Sequence, residues 1–234
     1  VVKMGNKKII IAIIIVVILI IGLIVTSFLY NKFNNEQLNT LTEESNKLLQ
    51  MDLATEEIDE QIKTEKDFGE VEKAIKEYLQ ELKNIYVEIE KLNEEIDVEE
   101  IFSAQNIEDQ NFDDVDAIIN DYREKSKSYV SQYDELITET KIAENIDKRN
   151  LKPYYVDLYN TVMLGDVMKN QYTTLGNDIE DCKDKIYDKL NVMGNIKDFL
   201  VKRENYWSIK EGKIIFTNTN VMTEYYNLIN QIED

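Results

Sequence analysis

The chain has no histidine, one cysteine, one proline and seven glycines in 234 residues. Each scarcity excludes something. Without histidine and with a single thiol, zinc sites built from His and Cys cannot form, and neither can Ser-His-Asp or Cys-His catalytic pairs. One proline and few glycines supply too few chain reversals for a turn-rich β-sandwich. Positive charge is scarce as well: 27 Lys and Arg stand against 46 Asp and Glu, a net charge of −19. Nucleic acid is therefore not an expected partner, because its affinity comes largely from basic side chains neutralising phosphates. No GxSxG, SxxK, Walker or GxGxxG pattern occurs, and no two carboxylates are marked out as facing a cleft. Neither catalysis nor a cofactor is expected. Cys182 has no second cysteine for an internal disulfide, which leaves only a bridge to another chain. Its neighbours Asp181 and Asp184 would raise a thiol pKa, which argues against a reactive nucleophile.

What the sequence does contain is a long uncharged run, IIIAIIIVVILIIGLIVTSFLY, over residues 9–30. As a helix it would be about 33 Å long, enough for the ~30 Å hydrocarbon core of a bilayer. Its Ile and Val content disfavours a helix in water, but in lipid the backbone must satisfy its own hydrogen bonds. The run exceeds the hydrophobic stretch of a cleaved leader and no A-x-A-like site follows it, so it reads as an uncleaved signal anchor. Lys3, Lys7 and Lys8 precede it without an acid, while Glu36, Glu43 and Glu44 follow. The positive-inside rule places residues 1–8 in the cytoplasm and everything after the span outside the cell membrane. Without the three leading lysines, the outer part carries 24 basic and 46 acidic side chains, a net charge of −22. Such a surface favours solubility and resists non-specific association.

Beyond the span, apolar periodicity predicts helices. Residues 31–63 read as a juxtamembrane link and a first amphipathic helix carrying Leu38, Leu41, Leu48 and Leu49. Residues 64–234 read as a bundle. Its first seam, Phe68, Val71, Ile75, Tyr78, Leu82, Ile85, Ile89, Leu92 and Ile96, steps by three and four without a miss, as in bundle or coiled-coil helices. Thr64 and Asp67 are spaced to act as its capping box. A second seam runs Phe112, Val115, Ile119, Tyr122, Ser126, Tyr129, Tyr133, Leu136, Thr140 and Ala143, and Asn150 with Pro153 marks a break. A third runs from Tyr155 through Leu158, Val162, Tyr172, Leu175, Ile179, Cys182, Ile186, Leu190 and Met193 to Phe199. Gly165, Gly176 and Gly194 within it are candidate sites of kinks or short breaks.

The period then changes. Residues 205–217, from Trp207 through Glu211-Gly212 to Phe216, predict a hairpin packed on the helices. Val221, Met222, Tyr225, Leu228, Ile229 and Ile232 predict a closing helix over 220–233. The expected fold is mainly all-α: a transmembrane helix, an elongated three- or four-helix bundle, a C-terminal hairpin and a closing helix.

Two sets of residues could carry chemistry. Asp109, Asn111 and Asp113 open like a calcium loop, but Asp114 stands where glycine belongs and Asn120 where a bidentate Glu belongs. Acids at the start of a helix explain the same residues through the macrodipole. Tyrosines form the second set. Tyr122, Tyr129, Tyr133, Tyr155, Tyr159 and Trp207 could form a patch for a ligand or partner, or could be core residues whose polar atoms reach a partner.

Asp67-Phe68 through Val71, Ile75 and Tyr78, then Tyr154-Tyr155-Val156-Asp157-Leu158-Tyr159, then Trp207, Gly212 to Phe216 and Tyr226-Asn227 form a series. It resembles single-pass, membrane-anchored helical proteins of low-GC Gram-positive (clostridial-type) bacteria. The resemblance implies a membrane location and a helical ectodomain, and no activity. The expected role is an extracytoplasmic interaction or scaffold module that meets another envelope protein or a second copy of itself. The alternative is an ectodomain that binds a small ligand or cation for sensing or delivery.

Overall fold

The computed structural model describes residues 29–108 and 112–232. Helix α1 covers residues 29–48. An irregular segment leads to α2 (Lys66–Glu94), a one-turn α3 (Val98–Ile101), α4 (Asp113–Leu136), α5 (Glu139–Asp147), α6 (Pro153–Met163) and α7 (Asp166–Lys202). Strands β1 (Trp207–Lys210) and β2 (Lys213–Phe216) form an antiparallel hairpin before the last helix, α8 (Thr219–Ile229). The expected span over residues 9–30 lies outside the described residues apart from Leu29 and Tyr30. Among the described residues no helix is long and apolar enough to cross a membrane.

Helices α2, α4 and α7 pack on one another pairwise and form the body of the bundle. All nine residues of the first seam, Phe68 through Ile96, are buried. The seam therefore closes within one chain and is not left over for a coiled coil with a second one. Leu41 and Leu48 of α1 join the same core.

Five local expectations are corrected. Thr64 does not cap α2: its hydroxyl donates to Glu72 Oε2 at 2.8 Å, and the cap position falls to Glu65, which makes no side-chain cap. The cause lies at Gly69. A Cβ there would stand 2.8 Å from the Thr64 carbonyl oxygen, so glycine lets the preceding segment fold back onto the first turns of α2. The second seam breaks, because α4 stops at Leu136 and Thr138 caps a new helix by accepting from the Lys141 amide. The register resets, so that Ile142 and Ile146 are buried while Thr140 is exposed.

The third seam also divides. Gly165 becomes the N-cap of α7, and α6 buries Tyr155, Tyr159 and Met163 in place of Leu158 and Val162. A helix this short, wedged against α2 and α5, uses a single row spaced by four. Gly176 and Gly194 leave α7 uninterrupted over 37 residues. Met222, expected on the inner face of α8, is exposed; Val221 and Tyr225 are buried.

The predicted break and hairpin both appear. Asn150 adopts a left-handed φ of 53°, and Pro153 is the first residue of α6. Glu211 and Gly212, with φ of 53° and 69°, make the two-residue turn whose twist suits the paired strands, and Trp207 lies opposite Phe216.

The bundle has two distinct ends. At one, the starts of α1, α2 and α6 meet: the Glu65 amide donates to Gln37 Oε1 at 2.6 Å, and Phe68 packs on Tyr155. From there α2 runs about 43 Å at 1.5 Å per residue. Its far end lies beside α7, where Lys189 Nζ donates to the Asn93 carbonyl. Beyond that point α7 reaches the start of α4 through Lys197 and Asp116, and Phe112 meets Trp207 of the hairpin. The hairpin and α8 thus cap the end opposite the start of α1.

Candidate functional site

Four of the six aromatic residues proposed as a patch belong to the core. Tyr133, Tyr155, Tyr159 and Trp207 are each less than 9% exposed. Their hydroxyl and indole groups serve the fold, in part because a helix leaves its last four carbonyls without partners. Trp207 Nε1 donates to the Leu200 carbonyl, in the last turn of α7, at 2.9 Å. Two further tyrosines do the same: Tyr78 donates to Leu136, the last residue of α4, and Tyr172 to Met163, the last residue of α6. Tyr133 donates to the Tyr172 carbonyl, and its ring occupies the space above Gly176, where a Cβ would lie 3.1 Å from Cε1. Tyr159 accepts from Asn145, whose amide also donates to the Ala74 carbonyl, each at 3.0 Å. Burial pushes the phenols of Tyr133 and Tyr172 upward, and that of Tyr159 to about 12. All remain protonated donors or acceptors at neutral pH.

Tyr122 and Tyr129 are only partly buried. Tyr122 has Lys125 Nζ 5.7 Å from its ring centre. Tyr129 lines a cleft of ≈ 640 Å³ that opens between α2, the end of α4 and α5. Tyr78, Ile85 and Leu136 also line it, with Glu81, Glu88, Glu135, Glu144, Lys141 and Lys148. The cleft lies where α4 ends at Leu136 and α5 begins at Glu139. Lys141 bridges Glu135 and Glu144 at 3.2 and 3.4 Å.

The calcium candidates do not come together as a described site. Asp109 and Asn111 lie outside the described residues, and Asp113 is the first residue of α4. Asp114 and Asp116 share its first turn, where the helix dipole favours acids. Cys182 is buried, and burial first, then Glu90, Asp178 and Asp181, push its thiol upward against an opposing pull from Lys185.

A buried ionic network had no counterpart in the sequence reading. Glu72, 1% exposed, accepts from the Thr64 amide and hydroxyl, both at 2.8 Å, and from the Lys63 amide at 2.9 Å. It pairs with Lys76 Nζ at 2.7 Å. Lys76, itself buried, donates to the Gln61 carbonyl at 2.8 Å and stands 3.6 Å from Glu44. Glu44 is held by Lys63 at 2.9 Å and by Lys47. Burial opposes ionisation of both carboxyls, but the hydrogen bonds around them prevail and hold both below their usual range. The network clamps the irregular segment between α1 and α2 onto the bundle. The i, i+4 spacing of Glu72 and Lys76 was visible in sequence; their burial was not.

Exposed apolar side chains are unevenly placed. Among the described residues, Val201, Tyr206, Ile215, Met222 and Tyr226 are exposed on the C-terminal cap, and Leu29, Tyr30, Ile62 and Tyr154 near the opposite end. Only Val87 and Val167 of the exposed large apolar residues lie elsewhere. No protein-family model, curated protein or solved structure matches the chain.

Proposed function

We propose that this chain is a membrane-anchored, extracytoplasmic helical module without catalytic activity, whose distal cap docks another envelope protein. The membrane part rests on the uncharged run of residues 9–30 and the three lysines before it. The observation that carries the docking role is the apolar surface of the cap. Tyr226, 52% exposed, lies with Met222 on α8, Ile215 lies on β2, and Tyr206, 47% exposed, immediately precedes β1, whose Trp207 is anchored to the end of α7. Exposed aromatic and apolar residues gathered at one end of a strongly acidic chain fit a protein interface.

The test is site-specific photo-cross-linking of the full chain in intact cells, with the probe at Tyr226, at Met222, or at Val87 on the side of the bundle. A heterologous adduct from the two cap positions, absent at Val87 and lost on Ile215→Lys, is the expected result. Equal labelling at all three positions, or only self-adducts, would overturn it.

The cleft between α2, α4 and α5 supports a second reading. Tyr129 with Glu81 and Glu88 offers a π-face and negative charge to an amphipathic organic cation. A raised melting temperature with spermidine, abolished by Tyr129→Ala, would support it; an unchanged melting temperature across such amines would remove it.

A further inference from the structure

The end of the bundle opposite the cap is built as one apolar platform. Leu29 and Tyr30, each 56% exposed, begin the described part of α1, and Tyr154, 50% exposed, stands in the first turn of α6. These residues come from two helices that both pack against the start of α2. Tyr154 and Tyr155 meet edge to face at 5.2 Å, and both rings lie against Phe68, at 6.4 and 5.0 Å. Tyr155 also lies within electrostatic range of the Tyr30 phenol. One turn along α1, Phe33 lies beneath Lys66 Nζ, 4.5 Å from its ring centre.

The aromatic contacts hold Tyr154 in place while leaving half of it exposed, an arrangement the core does not require. The chain before this platform explains it. The uncharged run of residues 9–30 ends within α1's first described turn, so the platform stands where that run would leave a bilayer. Tyrosine is enriched at that depth because its ring suits the boundary of the acyl chains while its hydroxyl stays with water and headgroups. Lys32 and Lys66 can extend along the same boundary, with their stems in the apolar layer and their charges outside it.

We propose that this end of the bundle is a lipid-facing surface. Tyr30 and Tyr154 seat in the headgroup region of the same membrane that residues 9–30 cross. The bundle then stands at a set attitude on the bilayer, with its cap held away, instead of swinging on a tether. This inference rests on the anchor reading and adds the surface, its orientation and its ligand class.

The experiment uses full-length protein reconstituted in phosphatidylcholine vesicles, with or without lipid brominated near the headgroup end of the acyl chain. Native protein carries a single indole, Trp207, in the distal cap. A double variant, Tyr154→Trp with Trp207→Phe, moves the indole to the platform. Brominated lipid is expected to cause a loss of its emission and to leave native Trp207 unchanged. If Trp207→Phe disorders the cap, Tyr154→Trp is read on the native background, where only the added component should be quenched. Protein that floats with the vesicles but shows no quenching at position 154 overturns the platform and leaves the anchor standing. Equal quenching at both positions means that the bundle lies flat, which also overturns it. Protein that does not float with the vesicles removes the anchor and the platform together.

Discussion

Replacing Glu72 by Gln should destabilise the protein far more than its place on an acidic chain suggests. The carboxylate receives three hydrogen bonds from Lys63 and Thr64 and an ion pair from Lys76, at 1% exposure. A glutamine amide keeps the volume, but it cannot accept on both sides and presents an N–H toward existing donors. Lys76, 4% exposed, then loses its closest carboxylate and keeps the Gln61 carbonyl and the more distant Glu44 as partners. Removing one partner from a buried pair costs about 3–5 kcal/mol, and a chain of this size loses about 2–4 °C per kcal/mol, so the melting temperature should fall by about 6–20 °C.

The pH dependence has a definite sign. Hydrogen bonds hold Glu72 below its ordinary value of 4.5, against the opposing effect of burial. The stability it contributes is therefore complete above 4.5 and is lost as pH falls through the lowered folded value. Far-ultraviolet circular dichroism of the full chain in detergent should show the gap between native and variant holding from neutral pH down to about 4.5 and closing below it. Adding Lys76→Met should recover part of the loss, because it removes a buried ammonium that has lost its closest carboxylate. A neutral-pH melting temperature within about 2 °C of native would refute a dry, connected network.

Two glycines in α7 should respond with opposite signs. Gly194→Ala meets nothing within 4 Å and should stabilise by about 1 kcal/mol through helix propensity. Gly176→Ala places a methyl 3.1 Å from the ring of Tyr133, which its bond to Tyr172 holds in place, and should cost about 1–3 kcal/mol by overpacking. Thermal melts of the two variants decide it, and equal shifts would contradict the packing argument. Cys182, 7% exposed and with its thiol pushed upward by burial, should resist maleimide in the native protein and react fully once denatured. Rapid native labelling would show that α7 opens around it.

The elements whose signal is local were legible in the sequence. The Phe68–Ile96 seam, the Asn150–Pro153 break and the Glu211-Gly212 hairpin each follow from spacing or backbone preference within about one element. Boundaries failed where two local signals competed. Thr138 ended a seam whose apolar spacing continued past it, because its hydroxyl caps a new helix. Thr64 had the spacing of a cap, yet its hydroxyl went to Glu72, because Gly69 admits the chain above α2. The tyrosines show the same limit. Their number and seam positions were plain, but Tyr133 and Tyr159 became core while Tyr129 reached a cleft, and only the packing of α5 and α6 separates these fates.

By itself, the sequence determined that this is a mainly helical chain with a hairpin near its end, because periodicity, turn chemistry and the scarcity of proline and glycine act over a few residues. Only the tertiary structure decided which charges are buried, which tyrosines complete helix ends, and that apolar side chains gather at the two ends of the bundle. Those outcomes depend on which surfaces meet across tens of residues. Spacing along one helix carries no information about what lies opposite it.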